Sequence, residues 1–180
     1  IFYKTDKFEL LKHGDFWLSE TPEKPSIGWD GKCCKRIASW ICLRDKRSKN
    51  LFYVFCVHYD HEGKIARRES SKLMLTKIKE IAGNHPVILM GDFNGNHSSE
   101  PYKIIKNSSL FRDTYNMVEF TYANNNSYHD YGRKLQGNNI IDHIFVTSHF
   151  TVSKWGILSD SFEGKYPSDH FPVLVKMKLH

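Results

Sequence analysis

The chain has 180 residues, 40% hydrophobic and 14% aromatic, which suits one well-buried domain spanning 1–180. No apolar stretch approaches the roughly 20 residues of a bilayer-spanning helix, and no charged segment followed by an apolar one opens the chain, so neither an anchor nor a secretory signal is expected within it. The formal net charge of +6 favours polyanionic partners such as nucleic acid, phosphorylated metabolites or an anionic membrane surface, although Lys and Arg are scattered and much of this charge fits a solvated surface.

In chain order, Phe2-Tyr3 and residues 8–18 read as the two strands of a hairpin. Residues 21–35 hold Pro22, Pro25, Gly28 and Gly31 around Trp29 and Asp30, the composition of an ordered surface loop. Residues 36–43 and 51–58 have strand length and are joined by a charged turn, so they predict an antiparallel hairpin that carries His58 to its end. Apolar residues spaced along 65–82 predict an amphipathic helix ended by Gly83. The nearly all-apolar run 86–90 predicts a strand buried on both faces that stops at Gly91-Asp92. Residues 99–107 follow as a short helix with Ser98 or Ser99 as its N-cap. Residues 116–139, rich in Asn, Tyr, Gly and His without a period, predict a long loop bordering the site. Strands at 140–147, 150–158 and 170–179 complete the chain. Hairpins alternating with single helices, and polar motifs at strand ends, predict an α+β layered sandwich with its site at one edge.

Cys33, Cys34, Cys42 and Cys56 form no CxxC pair, so no disulfide framework is expected. Cys42 and Cys56 lie in apolar runs and read as small buried hydrophobes, whereas Cys33 and Cys34 lie in the Gly-rich loop.

Asp92 and Asn94 flank Phe93 just past a buried strand, so alternation sets carboxylate and amide on one side while Phe93 packs away. There the carboxylate can align or deprotonate a water or hold a hard cation, and the amide can donate to a phosphate oxygen. A turn in which Asp92 only caps backbone groups is the plainer alternative. Asp169 and His170 stand at a strand entrance: Asp169 is a candidate metal ligand or an acceptor behind one, and His170 beside a carboxylate would stay cationic and face phosphoryl charge. Asp142 interrupts an apolar strand, where a lone charge is costly, so pairing with His170 is economical, while a solvent-facing Asp142 on an edge strand is the alternative. His58 at its strand end is placed to donate to a phosphoryl oxygen, and Arg36, which begins the partner strand, either points at the same anion or stays idle. His58 and His61, three apart, could hold a transition metal, but no Cys or further His at ligand spacing supports zinc.

The ordered segments Arg36-Ile37-Ala38-Ser39-Trp40, Val57-His58-Tyr59-Asp60-His61, Gly91-Asp92-Phe93-Asn94, Ile141-Asp142-His143-Ile144-Phe145-Val146 and Ser168-Asp169-His170-Phe171-Pro172-Val173 resemble the endonuclease/exonuclease/phosphatase superfamily. Within it the chain looks closest to the small bacterial members related to deadenylase-like and nocturnin-like enzymes. The resemblance implies a four-layered αββα sandwich of the DNase I-like type and phosphoester hydrolysis that depends on Mg²⁺ or Mn²⁺. It makes Asp92 the residue that aligns or deprotonates the attacking water and a metal-side carboxylate with Asp169. Asn94 and His58 bind the scissile phosphate, and His170, oriented by Asp142, stabilises the transition state. Cys56-Val57 before His58, and His143 after Asp142, depart from the family's Asn-Thr and Tyr.

The resemblance reaches only the later two-thirds of the family domain. The chain opens on Ile1 inside a strand-like run, and an upstream segment is expected to bring an Asn and the principal metal-binding Glu, which Glu9, Glu20 and Glu23 cannot replace in their contexts. Without that Glu, the alternative is a non-catalytic module that binds phosphate or nucleic acid. A soluble monomer is expected, with the compartment and the substrate open among nucleic acid, nucleotide and phospholipid headgroup. Trp29, Tyr122, Tyr128 and Tyr131 either stack on a base or cover the core.

Overall fold

Nearly continuous apolar runs with one long amphipathic helix between them favour a sheet buried on both faces. A computed structural model, describing residues 1–122 and 125–180, has that arrangement. Its elements are β1 (Phe8–Trp17), β2 (Ile37–Asp45), β3 (Leu51–His58), α1 (Lys64–Ala82), β4 (Val87–Asp92), α2 (Glu100–Lys106), β5 (Arg112–Asp113), a 3-10 turn (Thr114–Met117), β6 (Thr121–Tyr122), β7 (Asp142–Val146), β8 (Phe150–Ile157) and β9 (Val173–Leu179). A six-stranded sheet has the order β1-β2-β3-β4-β7-β5, and a second sheet the order β6-β8-β9.

α1 buries Ala66, Ser70, Ser71, Met74, Ile78 and Ala82, a stripe repeating every three or four residues. With Tyr102 and Ile105 of α2 it covers Phe55, Val57, Leu89 and Phe145 on one face of the large sheet. On the opposite face Ile41, Leu43, Phe52, Val54 and Val146 meet Phe150 and Val152 of the small sheet. The α+β sandwich is therefore observed, as a helical layer, a large sheet and a small sheet. Among the described residues neither α-helix joins the clusters on the small sheet's side. An apolar cavity of about 1000 Å³ opens between the sheets, lined in part by Phe8, Phe52, Ile88, Val175 and Met177, and the inward residues of β9 are only half-buried there.

The first hairpin differs from expectation. Phe2 is exposed and residues 1–3 form no strand. β1 pairs instead with β2, antiparallel from Phe8↔Asp45 to Trp17↔Ile37. A two-residue strand offers little ladder, whereas β2 offers nine residues, seven of which also pair with β3. β4 also runs beyond Met90, and this extension builds the site. Its parallel register with β3 ends at His58↔Asp92, and its antiparallel register with β7 ends at Asp92↔Asp142. Gly91 permits it: its φ is +138° and a Cβ there would lie 2.0 Å from the Val57 carbonyl oxygen, a backbone approach that no side chain tolerates. β9 starts at Val173 rather than His170, because Pro172 has no N–H to give a ladder.

Candidate active site

Residues in register on neighbouring strands point to the same face, so the two registers line up His58, Asp92 and Asp142 across β3, β4 and β7. His58 Nε2 is 3.4 Å from Asp92 Oδ2. The loop before β9 adds His170, whose Nδ1 is 2.8 Å from Asp142 Oδ2 and whose Nε2 is 3.9 Å from Asp92 Oδ2. The residues predicted from strand ends far apart in sequence thus meet at one point.

Their electrostatics separate their roles. Burial, then the charge of Asp142, pushes the Asp92 carboxyl up to about 6, within reach of a general base near neutral pH. The hydrogen bond that His170 Nδ1–H donates to Asp142 Oδ2 raises the His170 pKa, which favours its cationic form. Burial, then the Arg36 charge, lowers His58, leaving it neutral at pH 7. Arg36 NH2 donates to His61 Nδ1 at 2.8 Å, and its Nε lies 3.8 Å from Asp60 Oδ2. Its charge also acts on Asp92, which places Arg36 beside the cluster.

Asn94 occupies a left-handed position, φ +45°. Its backbone N–H donates to Asp92 Oδ1 at 2.7 Å, and its Nδ2 donates to the Tyr59 carbonyl at 2.9 Å and to Asp92 Oδ2 at 3.3 Å. The amide expected to meet phosphate is here committed to fixing Asp92 and the end of β3. Asp169 is adjacent to His170 and outside the tightest donor group. The donor group around Asp92 comprises Asp92, Asp142 and His170, with ligand atoms within 4.8 Å of one another. Asp169 acts on His170 through its charge, while its carbonyl accepts from the His129 and Asp130 N–H groups. The Ser168 hydroxyl accepts the His170 N–H at 3.1 Å and donates to Asp169 Oδ1 at 3.4 Å.

A divalent cation suits this donor set. The raised Asp92 reflects desolvated negative charge facing a second carboxylate, which a cation relieves, and carboxylate oxygens suit a hard ion.

The supports for this cluster were hidden in aperiodic sequence. Ser127 Oγ accepts from the N–H groups of Ile141 and Asp142, fixing the start of β7. Tyr128 bridges His170 through the backbone and packs its ring 5.1 Å away, so it covers the site's histidine. Tyr122 and Tyr131 are exposed, and Trp29 is half-buried. Beneath the Asp92 loop, His143 is buried and neutral, its pKa pushed down to about 4 by burial, and its Nε2–H donates to the Gly95 carbonyl at 2.8 Å. Asp113 accepts from Tyr102 Oη at 2.7 Å and from the Tyr115 N–H at 3.0 Å. Asp113→Ala would strand these donors in the core, and an expected loss of about 2–4 kcal/mol in urea unfolding checks that role.

Residues 16–170 match the Endonuclease/Exonuclease/phosphatase family. The chain belongs to that family. Within it, the chain is 39% identical to a mannosyl-6-phosphatase structure from Bacteroides thetaiotaomicron, with a TM-score of 0.91 over 98% of this chain and 69% of that one. It is 29% identical to protein L388 of Acanthamoeba polyphaga mimivirus over 97% of this chain and 68% of that protein. The catalytic domain of human nocturnin, with bound sulfate, shares the fold at 19% identity and a TM-score of 0.72, over 98% of this chain and 62% of that domain. The expected membership of the endonuclease/exonuclease/phosphatase superfamily therefore stands, and the likeness to nocturnin is one of fold.

Proposed function

We propose that this family member hydrolyses a phosphate monoester of a sugar or similar small polyol, with Mg²⁺ or Mn²⁺ as cofactor. The reading rests on the strand register that unites His58, Asp92, Asp142 and His170, and the monoester branch on the 39% identity to a mannosyl-6-phosphatase. Asp92 aligns a water and takes its proton as the oxygen attacks phosphorus. His58, as a neutral donor, and Arg36 hold phosphoryl oxygens, and His170, kept cationic by Asp142, faces the charge that builds on them. Asn94 keeps Asp92 oriented. Asp92 is the carboxylate that would hold the ion, and the ion would offset phosphate charge.

The test is release of inorganic phosphate from mannose 6-phosphate and other sugar phosphates, beside hydrolysis of bis-p-nitrophenyl phosphate, by the full-length protein. Turnover of monoesters that EDTA abolishes supports the reading. Preferential diester turnover would move the protein to the nuclease and phosphodiesterase branch. Phosphate binding without turnover of either would favour the non-catalytic module.

A further inference from the structure

Cys33, Cys34, His61 and Glu62 have no part in the chemistry above, yet the loop before β2 and the turn after β3 gather them at the rim of the site. Sγ of Cys33, a ring nitrogen of His61 and a carboxylate oxygen of Glu62 all lie within 4.8 Å of one another. Cys33 Sγ is 4.0 Å from His61 Nδ1, and His61 Nε2 is 3.4 Å from Glu62 Oε1. The Cys34 thiol lies close enough to raise the Cys33 pKa, and the Asp60 carboxylate adds to that rise. Asp60 itself is 2% exposed and its Oδ2 has no hydrogen-bond partner. Soft donors thus gather at one exposed spot, beside a buried carboxylate that faces Arg36 Nε at 3.8 Å.

We propose that Cys33, His61 and Glu62 form a binding site for a thiophilic divalent cation of the zinc class, and that occupying it inhibits hydrolysis by drawing His61 away from Arg36. The inhibitory half rests on the proposed function; the binding half does not. Thiolate, imidazole and carboxylate are zinc donors, whereas the carboxylates around Asp92 suit a harder ion, so the two sites differ in metal preference. A tetrahedral zinc with ordinary bond lengths places sulfur and nitrogen about 3.6 Å apart, a few tenths of an ångström from the present separation. All three residues are exposed, so an ion has an entry path, and binding sends the thiol proton to buffer.

The link to the phosphate site is His61 Nδ1, the ring nitrogen nearer the thiol and the acceptor for Arg36 NH2. An ion on that nitrogen removes the acceptor and sets positive charge beside the guanidinium. Arg36 then withdraws from the position in which it acts on His58 and Asp92, and the enzyme loses a grip on phosphate. The expected signature is a KM that rises more than kcat falls.

The site is tested first by binding, with Co²⁺ and Zn²⁺ as probes on the protein with its upstream sequence. Co²⁺ should give a thiolate charge-transfer band that Zn²⁺ displaces and that Cys33→Ser abolishes, with His61→Ala weakening zinc in competition with a chromophoric chelator. Excess Mg²⁺ should leave the band unchanged. In sugar-phosphate hydrolysis under excess Mg²⁺, micromolar Zn²⁺ should raise KM about tenfold, and Cys33→Ser should keep its basal activity and escape this rise. Absence of the band, or a Cys33→Ser variant that binds zinc as tightly as the wild type, would overturn the site. Loss of the band with inhibition intact would overturn the coupling to Arg36. A protein that binds Co²⁺ through Cys33 and hydrolyses nothing would uphold the site and count against the proposed function alone.

Discussion

Asp92→Asn is expected to abolish hydrolysis and, in the metal-free protein, to raise stability at neutral pH. The activity loss, about 10²–10⁴-fold, follows from removing the group that takes the proton of the attacking water. The stability gain follows from the same carboxylate's environment. Burial and Asp142 raise its pKa from 3.8 to about 6. A folded-state value above the unfolded one contributes stability that is fully present below the unfolded pKa and is lost as pH rises through the folded value. Above pH 7 the ionised carboxylate therefore works against folding by about 3 kcal/mol at most, taking about 1.4 kcal/mol per pH unit. Asparagine avoids this and keeps an oxygen that can accept from the Asn94 N–H. Urea melts in EDTA should show the variant more stable at pH 8 and the difference vanishing near pH 4. Equal or lower stability at pH 8 would mean that the site does not hold Asp92 under desolvation.

That conflict between folding and function explains why the central residues were readable. His58, Asp92 and Asp142 each stand at the end or start of an apolar strand, where a polar group without purpose is selected against by its desolvation cost. The pairing of Asp142 with His170 followed from the same cost, and the structure joins them. The layered sandwich was readable because runs such as Leu51–His58 and the stripe along α1 carry their burial in composition and period. What a one-dimensional reading lacks is register. Nothing local says that β4 continues through Gly91 into Asp92, since that depends on Val57 approaching from a neighbouring strand.

The supports were less visible for a related reason. Ser127, Tyr128 and Asp113 act through contacts to residues remote in sequence, Ile141, His170 and Tyr102, from segments without period, and a two-residue strand such as β5 has no pattern to detect. Asn94 was placed correctly on the face of Asp92, but the commitment of its amide to Tyr59 depends on the fold of β3. Local spacing likewise did not show that Cys33 reaches His61 from 28 residues away.

Asp142→Asn and His170→Ala should move the acidic limb of the pH–rate profile in opposite directions, which a merely structural loss would not do. The limb reports ionisation of Asp92, which sits at about 6 in the metal-free protein and which a bound cation lowers. Asp142 raises that value through its charge and His170 lowers it. Removing the Asp142 charge therefore shifts the limb to lower pH, and removing His170 shifts it to higher pH. The basic limb separates the variants again. It reports loss of the His170 proton, which the Asp142 hydrogen bond retains above the ordinary value of 6.5. In Asp142→Asn this limb falls, so the profile moves bodily toward acid and the rate at pH 8 drops by about 10²-fold or more. Stability carries the matching sign. The raised His170 pKa contributes fully below pH 6.5 and fades as pH rises through its folded value, so Asp142→Asn should destabilise the protein more at pH 6 than at pH 9. Profiles measured at fixed metal concentration for the two variants decide the matter: limbs that stay in place, or move together, would show that Asp92, Asp142 and His170 do not share one electrostatic site.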